Sequence, residues 1–169
     1  LVEFLELEHI GGYRKIAPYY IVQIHFALAE YEKVLERAGK LLTDYPDNDY
    51  NDELHRMMGE IYYQDSIYDQ AASHLEAYHT LRITNNKDVL RNDLYLLGVS
   101  NYRIGQYDLA INYLKQVKQE NDSISESACL HLGHSYLRVN NIEKAILAYT
   151  AAIDFNINPV LREEAMYNY

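Results

Sequence analysis

The chain has few of the residues that cross-link or interrupt a small protein. Its 169 residues include one cysteine, three prolines, seven glycines and no tryptophan. A single thiol excludes an internal disulfide, and so few glycines and prolines disfavour a sandwich or barrel of many short strands. Alanine, leucine, glutamate, lysine and glutamine recur throughout, so the composition favours helices.

Long apolar runs and basic clusters are also missing. No window approaches the roughly 18 consecutive apolar residues of a membrane-spanning helix, which argues against direct membrane insertion by this chain. The formal net charge of -10 and the isoelectric point near 5.1 disfavour a nucleic-acid partner, because non-specific affinity for phosphates comes from clustered Lys and Arg. What remains is 49% apolar and 24% charged residues, an ordinary globular balance.

Landmark residues recur along the chain at intervals of 35 to 39 residues. A shift of 39 places Leu97-Gly98 on Met58-Gly59, Tyr107 on Tyr68, Ala110 on Ala71 and Leu114 on Leu75. A shift of 35 in the other direction places Leu97-Gly98 on Leu132-Gly133, Ala110 on Ala145 and Leu114 on Tyr149. An earlier copy carries Tyr31, Val34, Ala38 and Leu41. Periods of this length indicate stacked structural repeats.

The pattern resembles the tetratricopeptide repeat, whose signature is Leu-Gly-x-x-Tyr in a first helix and Ala-x-x-x-Phe, then Pro, in a second. Here the signature reads Met58-Gly59-x-x-Tyr62 with Ala71 and Leu75. The third copy departs from it, since Asn101 stands where Tyr is expected. The resemblance implies an all-α, right-handed superhelical α-solenoid of antiparallel helix pairs, and a protein-binding role without cofactor or metal.

The repeats divide the chain into one solenoid of 169 residues. We expect partial repeats at 1–14 and 160–169, and full repeats at about 15–51, 52–90, 91–125 and 126–159. Turn-forming residues between these segments predict helices at about 16–29, 31–44, 50–65, 67–82, 88–104, 106–120, 124–139, 141–155 and 159–169. Leu1 to His9 would be the second helix of a truncated pair, so we expect the chain to be a fragment of a longer protein.

Glycines in the middle of three predicted helices indicate close helix packing. Gly costs about 1 kcal/mol relative to Ala inside a helix, so Gly59, Gly98 and Gly133 need a compensating contact. We expect them to lie at helix crossings, with a small alanine on the second helix and a large residue one turn later. Those large residues are Leu75, Leu114 and Tyr149.

In the resembled family, partners bind in a concave groove lined by the first helices. With repeat starts at Lys15, Asp52, Arg91, Glu126 and Val160, the groove positions are the second, fifth, ninth, twelfth and thirteenth. The candidate site residues are Tyr19, Gln23, Phe26, Arg56, Glu60, Tyr63, Gln64, Tyr95, Tyr102, Arg103, His134 and Arg138, with Asn92, Val99, Leu130 and Leu137 at the same positions. Tyrosine and arginine are typical of protein-contact hot spots. Because the chain has 18 tyrosines, some of them would lie in any groove by chance.

Other kinds of site are less well supported. The Lys and Asn clamp with which some family members hold a terminal carboxylate is absent at the equivalent positions. His131-x-x-His134 beside Cys129 could supply metal ligands, but Cys129 and His131 point about 200° apart on a helix, which disfavours a metal site. Phosphate loops, catalytic elbows and metalloprotease motifs are missing from the sequence, so an enzyme is not expected.

The sequence therefore predicts a scaffold that binds a peptide or protein segment in the groove. The alternative is a structural spacer, or an arm that forms a homodimer by stacking its terminal helices through residues such as Leu5 and Met166. A third hypothesis is that the chain is a subunit associated with an enzyme. The Tyr45-Pro46-Asp47-Asn48 linkage resembles bacterial cell-envelope members of the family, which favours the periplasm or envelope over the cytoplasm.

Overall fold

The computed structural model describes residues 11–13 and 16–169, and this part of the chain is helical without strands. A short 3₁₀ helix at Gly11–Tyr13 precedes nine α-helices. They are α1 (Ala17–Ala27), α2 (Tyr31–Asp44), α3 (Asn51–Gln64), α4 (Tyr68–Thr84), α5 (Arg91–Arg103), α6 (Tyr107–Leu114), α7 (Ser123–Arg138), α8 (Ile142–Phe155) and α9 (Pro159–Asn168). The sequence predicted all nine, mostly within three residues at each end. The helix predicted before Gly11 lies outside the described residues.

The chain divides into two compact units, one ending at Asp88 and one running from Val89 to Tyr169. In unit 1, α1 packs against α2 and α3 against α4. In unit 2, α5 packs against α6 and α7 against α8, and α9 packs on α8. Each unit is thus built from consecutive helix pairs, as the repeats predicted. That all repeats form one continuous stack stays a prediction.

The turns inside the helix pairs share one backbone conformation. Ala29, Ser66, Gly105 and Asn140 have φ values of 55°, 60°, 80° and 59°, in the left-handed region. Each lies two residues after the end of the first helix of its pair, so the backbone repeats with the intervals of the sequence. The predicted breaks at Asp65-Ser66, Gly105 and Asn140-Asn141 are confirmed. Glycine and asparagine adopt positive φ more readily than most residues, which explains the choice of residue at Gly105 and Asn140.

Gly59, Gly98 and Gly133 lie where helices cross. A Cβ added to Gly59 would lie 2.6 Å from Cγ of Leu75, and one on Gly98 would lie 2.6 Å from Cγ of Leu114. A Cβ on Gly133 would lie 2.5 Å from Cε1 of Tyr149. Each glycine therefore admits the large residue 16 positions later, as the sequence predicted. Ala71, Ala110 and Ala145 on the second helices are at most 2% exposed.

In three repeats, a charged residue near the start of the first helix binds the loop at the end of the same repeat. Asp52 in α3 accepts a hydrogen bond from Lys87 Nζ at 2.9 Å. Arg91 in α5 makes two bonds to Asp122, at 2.7 and 2.8 Å. Glu126 in α7 accepts from a loop amide 32 residues away, that of Asn158. One position thus fixes successive loops with three different chemistries.

The helix α6 ends at Leu114, so its predicted extension to residue 120 is wrong. After Leu114 the amides of Gln116 and Val117 bond to carbonyls three residues back, at 3.0 and 3.2 Å, and the helix does not resume. Arg91 Nε then donates to the Lys118 carbonyl at 2.7 Å. A side chain 27 residues upstream thereby satisfies a backbone group that a longer helix would have used.

Candidate functional site

Four aromatic or imidazole rings from two first helices meet in unit 2. Tyr102 lies 5.4 Å from His131 and 5.9 Å from His134, measured between ring centroids. Tyr95 lies 6.4 Å from His131. All four rings are half-buried, so each keeps part of its surface open to solvent. With the exposed Arg103 at the end of α5, they form what we call the aromatic face.

Hydrogen bonds fix the orientation of these rings. Tyr95 Oη and Ser127 Oγ are 2.8 Å apart. His131 Nδ1 lies 2.8 Å from the Ser127 carbonyl oxygen, which can only accept, so Nδ1 carries the proton. Ser127 therefore positions both a tyrosine and a histidine of the aromatic face.

The two histidines of the aromatic face are neutral at pH 7. Burial lowers the pKa of His131, although its bond to the Ser127 carbonyl works in the opposite direction. Burial also lowers the pKa of His134, and the positive charge of Arg103 lowers it further. His134 Nε2 lies 3.6 Å from a carboxylate oxygen of Glu164 in α9. The face thus combines uncharged imidazoles with one exposed guanidinium.

Arg138 lies at the end of α7 and contacts the start of α6. Its Nε donates to Tyr107 Oη at 3.1 Å, and its guanidinium carbon lies 5.2 Å from the centre of the Tyr107 ring. The side chain is exposed in spite of this contact. Arg138 therefore presents its charge beside Tyr107 and not over the rings of the aromatic face.

The candidate residues of unit 1 are engaged with one another. Arg56 donates to Glu53 at 2.8 Å and also forms an ion pair with Glu60. The rings of Tyr63 and Tyr68 meet edge to face at 5.7 Å between centroids. Phe26 and Gln23 are half-buried, and Gln64 is exposed. In unit 1 the guanidinium of Arg56 is thus already paired with two carboxylates.

Tyr19 is a correction to the predicted site. It is 5% exposed, its ring stacks on Tyr50 at 4.2 Å, and Gln23 donates to its hydroxyl. Burial, followed by the charge of Glu53, raises the pKa of Tyr19 to about 12. At two other groove positions, Val99 and Leu130 are at most 2% exposed. All three belong to the packing between helices, because a side chain this deeply buried has almost no surface left for a ligand.

Ser127 and Glu53 were missed by the sequence reasoning. Each holds the second position of its repeat, counted from Glu126 and Asp52, so the register already used for the other residues would have found them. Glu164 was also missed as a neighbour of the site, because its approach to His134 depends on how α9 packs. No local motif marks that packing.

The suggested metal ligands do not converge. Cys129 is 4% exposed and its thiol lies 3.5 Å from Gln119 Oε1, while His131 faces Tyr95 and Tyr102. Burial raises the pKa of the Cys129 thiol, which disfavours the thiolate that metals need. Across residues 11–13 and 16–169, no group of three or more His, Cys, Asp or Glu side chains is placed to hold a metal ion.

Over the same residues, no helix is both long and apolar enough to cross a bilayer.

Comparison with known families matches the repeats of unit 2. Two family models, each described as a tetratricopeptide repeat, match residues 94–122 and 126–156. These two segments are tetratricopeptide repeats. The matched segments coincide with the repeats predicted at about 91–125 and 126–159. No curated protein sequence matches the chain at a significant level.

Tetratricopeptide repeats generally mediate interactions between proteins and typically act as scaffolds without catalytic activity. The fold class is accordingly an all-α, tetratricopeptide-like helical repeat. The predicted bacterial cell-envelope location stays a prediction.

Proposed function

We propose that the aromatic face of unit 2 binds a peptide segment of a partner protein. The observation that carries this proposal is the gathering of Tyr95, Tyr102, His131 and His134 into one half-buried ring cluster beside Arg103. Rigid rings offer contact area at a low cost in conformational entropy, and an arginine at the edge orients a ligand by charge. Because the histidines are neutral, the cluster accepts apolar or aromatic side chains without burying a charge.

The segment that fits this surface has an apolar or aromatic side chain and a carboxylate nearby. The rings would receive the apolar group, and Arg103 would bind the carboxylate through charge-assisted hydrogen bonds. The chain has a net charge of -10, so it repels partners that are acidic along their whole length. A single carboxylate bound by Arg103 is less affected by this repulsion. The proposal thus specifies a short mixed segment and not a polyacidic tail.

The test is a comparison of partners captured from the native host by matched variants. A Tyr102→Ala, Arg103→Glu double variant removes one ring and reverses the orienting charge. Asn112→Ala is the control, since Asn112 is exposed on α6 and outside the aromatic face. We expect partners bound by the wild-type and control chains to be lost with the double variant, at unchanged thermal unfolding midpoint. Equal capture by all three chains would move binding to another surface.

A second candidate function, self-association, is favoured by the exposed apolar side chains of α9. Val160, Met166 and Tyr167 are 70%, 54% and 89% exposed. We infer that this helix could pair with a second copy of the chain, which would make the protein a structural arm. Light scattering after size exclusion distinguishes the two functions, because a Met166→Glu, Tyr167→Glu variant should convert a dimer to a monomer. Leu5, the residue predicted for the other end, lies outside the described residues.

A further inference from the structure

A second surface of unit 2 carries an apolar groove that contains no residue of the aromatic face. Its volume is about 670 Å³, within the range of roughly 300 to 1,000 Å³ typical of ligand sites. It lies along α7 and α8 and is closed at one side by the segment between α6 and α7. The lining residues are Gln119, Asn121, Cys129, Leu132, Tyr136, Lys144, Leu147, Ala148, Ala151, Asp154 and Phe155.

The groove exists because α6 is short. The second helices α2, α4 and α8 have 14, 17 and 14 residues, whereas α6 has 8. At 1.5 Å per residue, six missing residues amount to about 9 Å of helix. The non-helical residues that follow supply Gln119 and Asn121 to the rim instead of a packed helical turn. Leu147, one of the lining residues on α8, is 65% exposed.

Opposite charges mark the two ends of the groove. Lys144 is the third residue of α8, and its ammonium lies 5.6 Å from the centre of the Tyr136 ring. Asp154 is the last residue but one of the same helix. Ten residues of helix separate them, so their α-carbons lie about 15 Å apart along the axis. The floor between them is alanine, leucine and phenylalanine.

Each of these charges stands at the unfavourable end of its own helix. The amino end of a helix carries partial positive charge and favours anions, and the carboxyl end favours cations. Lys144 and Asp154 are placed the other way round, although Glu143, outside the groove, gives the first turn one favourable charge. A ligand with an anion near Lys144 and a cation near Asp154 would compensate both ends at once.

We propose that this groove binds an amphipathic helix of a partner protein, lying parallel to α8, with an acidic residue in its first turn beside Lys144 and a basic residue in its last turn beside Asp154. The apolar stripe of such a helix would cover Leu147, Ala151 and Phe155. Acidic first turns and basic last turns are also what an isolated helix prefers, so the ligand is favourable in itself. A fatty acid satisfies only one of the two charged ends.

The test uses two synthetic 14-residue peptides, both labelled with fluorescein and both held helical by the same hydrocarbon staple. They share leucines at positions i, i+3, i+4 and i+7. The forward peptide has Glu in its first turn and Arg in its last, and the reversed peptide has these charges exchanged. Circular dichroism confirms equal helicity, so any difference in binding to the 169-residue chain reports charge polarity.

We expect the forward peptide to bind roughly fivefold to tenfold more tightly than the reversed peptide, as measured by fluorescence anisotropy. A chain with both Lys144→Glu and Asp154→Lys should prefer the reversed peptide. Leu147→Glu should weaken the forward peptide at least about tenfold, because it places a charge on the apolar floor. Thr150→Glu is the matched control, since it adds the same charge to an exposed position of α8 outside the groove and should leave binding unchanged.

Equal binding of both peptides, or no binding of either at millimolar concentration, overturns the proposal. So does binding of dodecanoate, but of neither peptide, that Leu147→Glu removes, because the groove would then be a site for an acyl chain. A dimer of the chain that dissociates on Leu147→Glu, with no peptide bound, overturns it in favour of a second copy. All these outcomes are independent of Tyr102 and Arg103, so they are distinguishable from failure of the proposed peptide-binding function.

Discussion

The carboxylate of Glu126 accepts the backbone amide of Asn158 at 2.8 Å, and its other oxygen accepts the amide of Ile157 at 3.0 Å. Glu126 is fully buried, while the loop it holds lies 31 and 32 residues later in the chain. The loop joins α8 to α9, so one acid at the start of a first helix determines where the next first helix begins. A buried carboxylate here depends on both amides for its solvation.

Replacing Glu126 should therefore destabilise unit 2. We expect Glu126→Ala to lower the free energy of unfolding by about 3 kcal/mol, because two bonds to a charged acceptor disappear and two amides lose their partner. Glu126→Gln should cost less, since an amide oxygen can still accept one bond. Urea unfolding measures both variants, with the exposed Glu163→Ala as control. A loss under about 0.5 kcal/mol for Glu126→Ala would contradict the anchoring role.

Alanine should have opposite effects at two glycines. Gly98→Ala places a Cβ 2.6 Å from Leu114 Cγ, so we expect a loss of about 1 to 3 kcal/mol. Gly39 lies inside α2, and among the described residues no atom outside its own stretch of helix comes within 4 Å of an added Cβ. Gly39→Ala should therefore stabilise the chain by about 0.5 to 1 kcal/mol through helix propensity. Thermal unfolding of the two variants checks the sign, and destabilisation by Gly39→Ala would show that open space alone does not predict the effect.

Acid should weaken the contact between α3 and α4 through a pair of histidines. His55 Nδ1 and His74 Nδ1 are 2.9 Å apart, so one nitrogen must donate and the other accept. Burial, then the charge of the other histidine, lowers the pKa of His55 to about 4, and burial lowers that of His74. Because the unfolded chain binds protons more readily, this stability is complete above the unfolded pKa near 6.5 and is lost as pH falls towards 4.

We therefore expect the thermal unfolding midpoint to fall between pH 6.5 and 4, followed by circular dichroism. His74→Asn removes the second imidazole, so the slope of midpoint against pH should become shallower than in the wild type. His79, His131 and His134 have lowered pKa values of their own and will leave a residual slope. An unchanged slope in His74→Asn would contradict a contribution of the His55–His74 pair to the pH dependence.

The fork between Arg91 and Asp122 should be sensitive to the shape of the cation. Arg91 binds both oxygens of Asp122, and this holds the pKa of Asp122 down to about 2, with help from the Ser125 amide. Arg91→Lys keeps the charge but loses the two parallel bonds and the bond to the Lys118 carbonyl. We expect a lower unfolding midpoint and faster hydrogen exchange in residues 115–122. Arg162→Lys, an exposed control on α9, should change neither.

Most of the fold was predictable from the sequence because its signals are local and repeated. Gly59, Gly98 and Gly133 recur with large residues 16 positions later, and Gly105 and Asn140 mark the turns. The end of α6 was not predictable, because no breaker follows Leu114 and the residue that captures the Lys118 carbonyl is Arg91, far upstream. The apolar groove depends on that early end, so it also escaped prediction.

The repeat positions identified the residues of the candidate site, but they did not predict which of these side chains are exposed. Tyr95, Tyr102 and His134 were identified from their repeat positions and lie together, whereas Tyr19 occupies an equivalent position and is buried against Tyr50. Register specifies which way a side chain points from its helix. Whether a neighbour covers it depends on residues elsewhere in the chain, such as Tyr50 for Tyr19.

The anchors at Asp52, Arg91 and Glu126 have a consequence for recombination between repeats. Each anchor and the loop it holds belong to the same stretch of some 30 to 36 residues, and the three pairings cannot substitute for one another. A chimera that transplants such a stretch whole keeps the anchor together with the loop that it binds. A crossover between the two helices of a pair separates an anchor from its loop, so that Arg91, for example, would meet a loop without the carboxylate of Asp122.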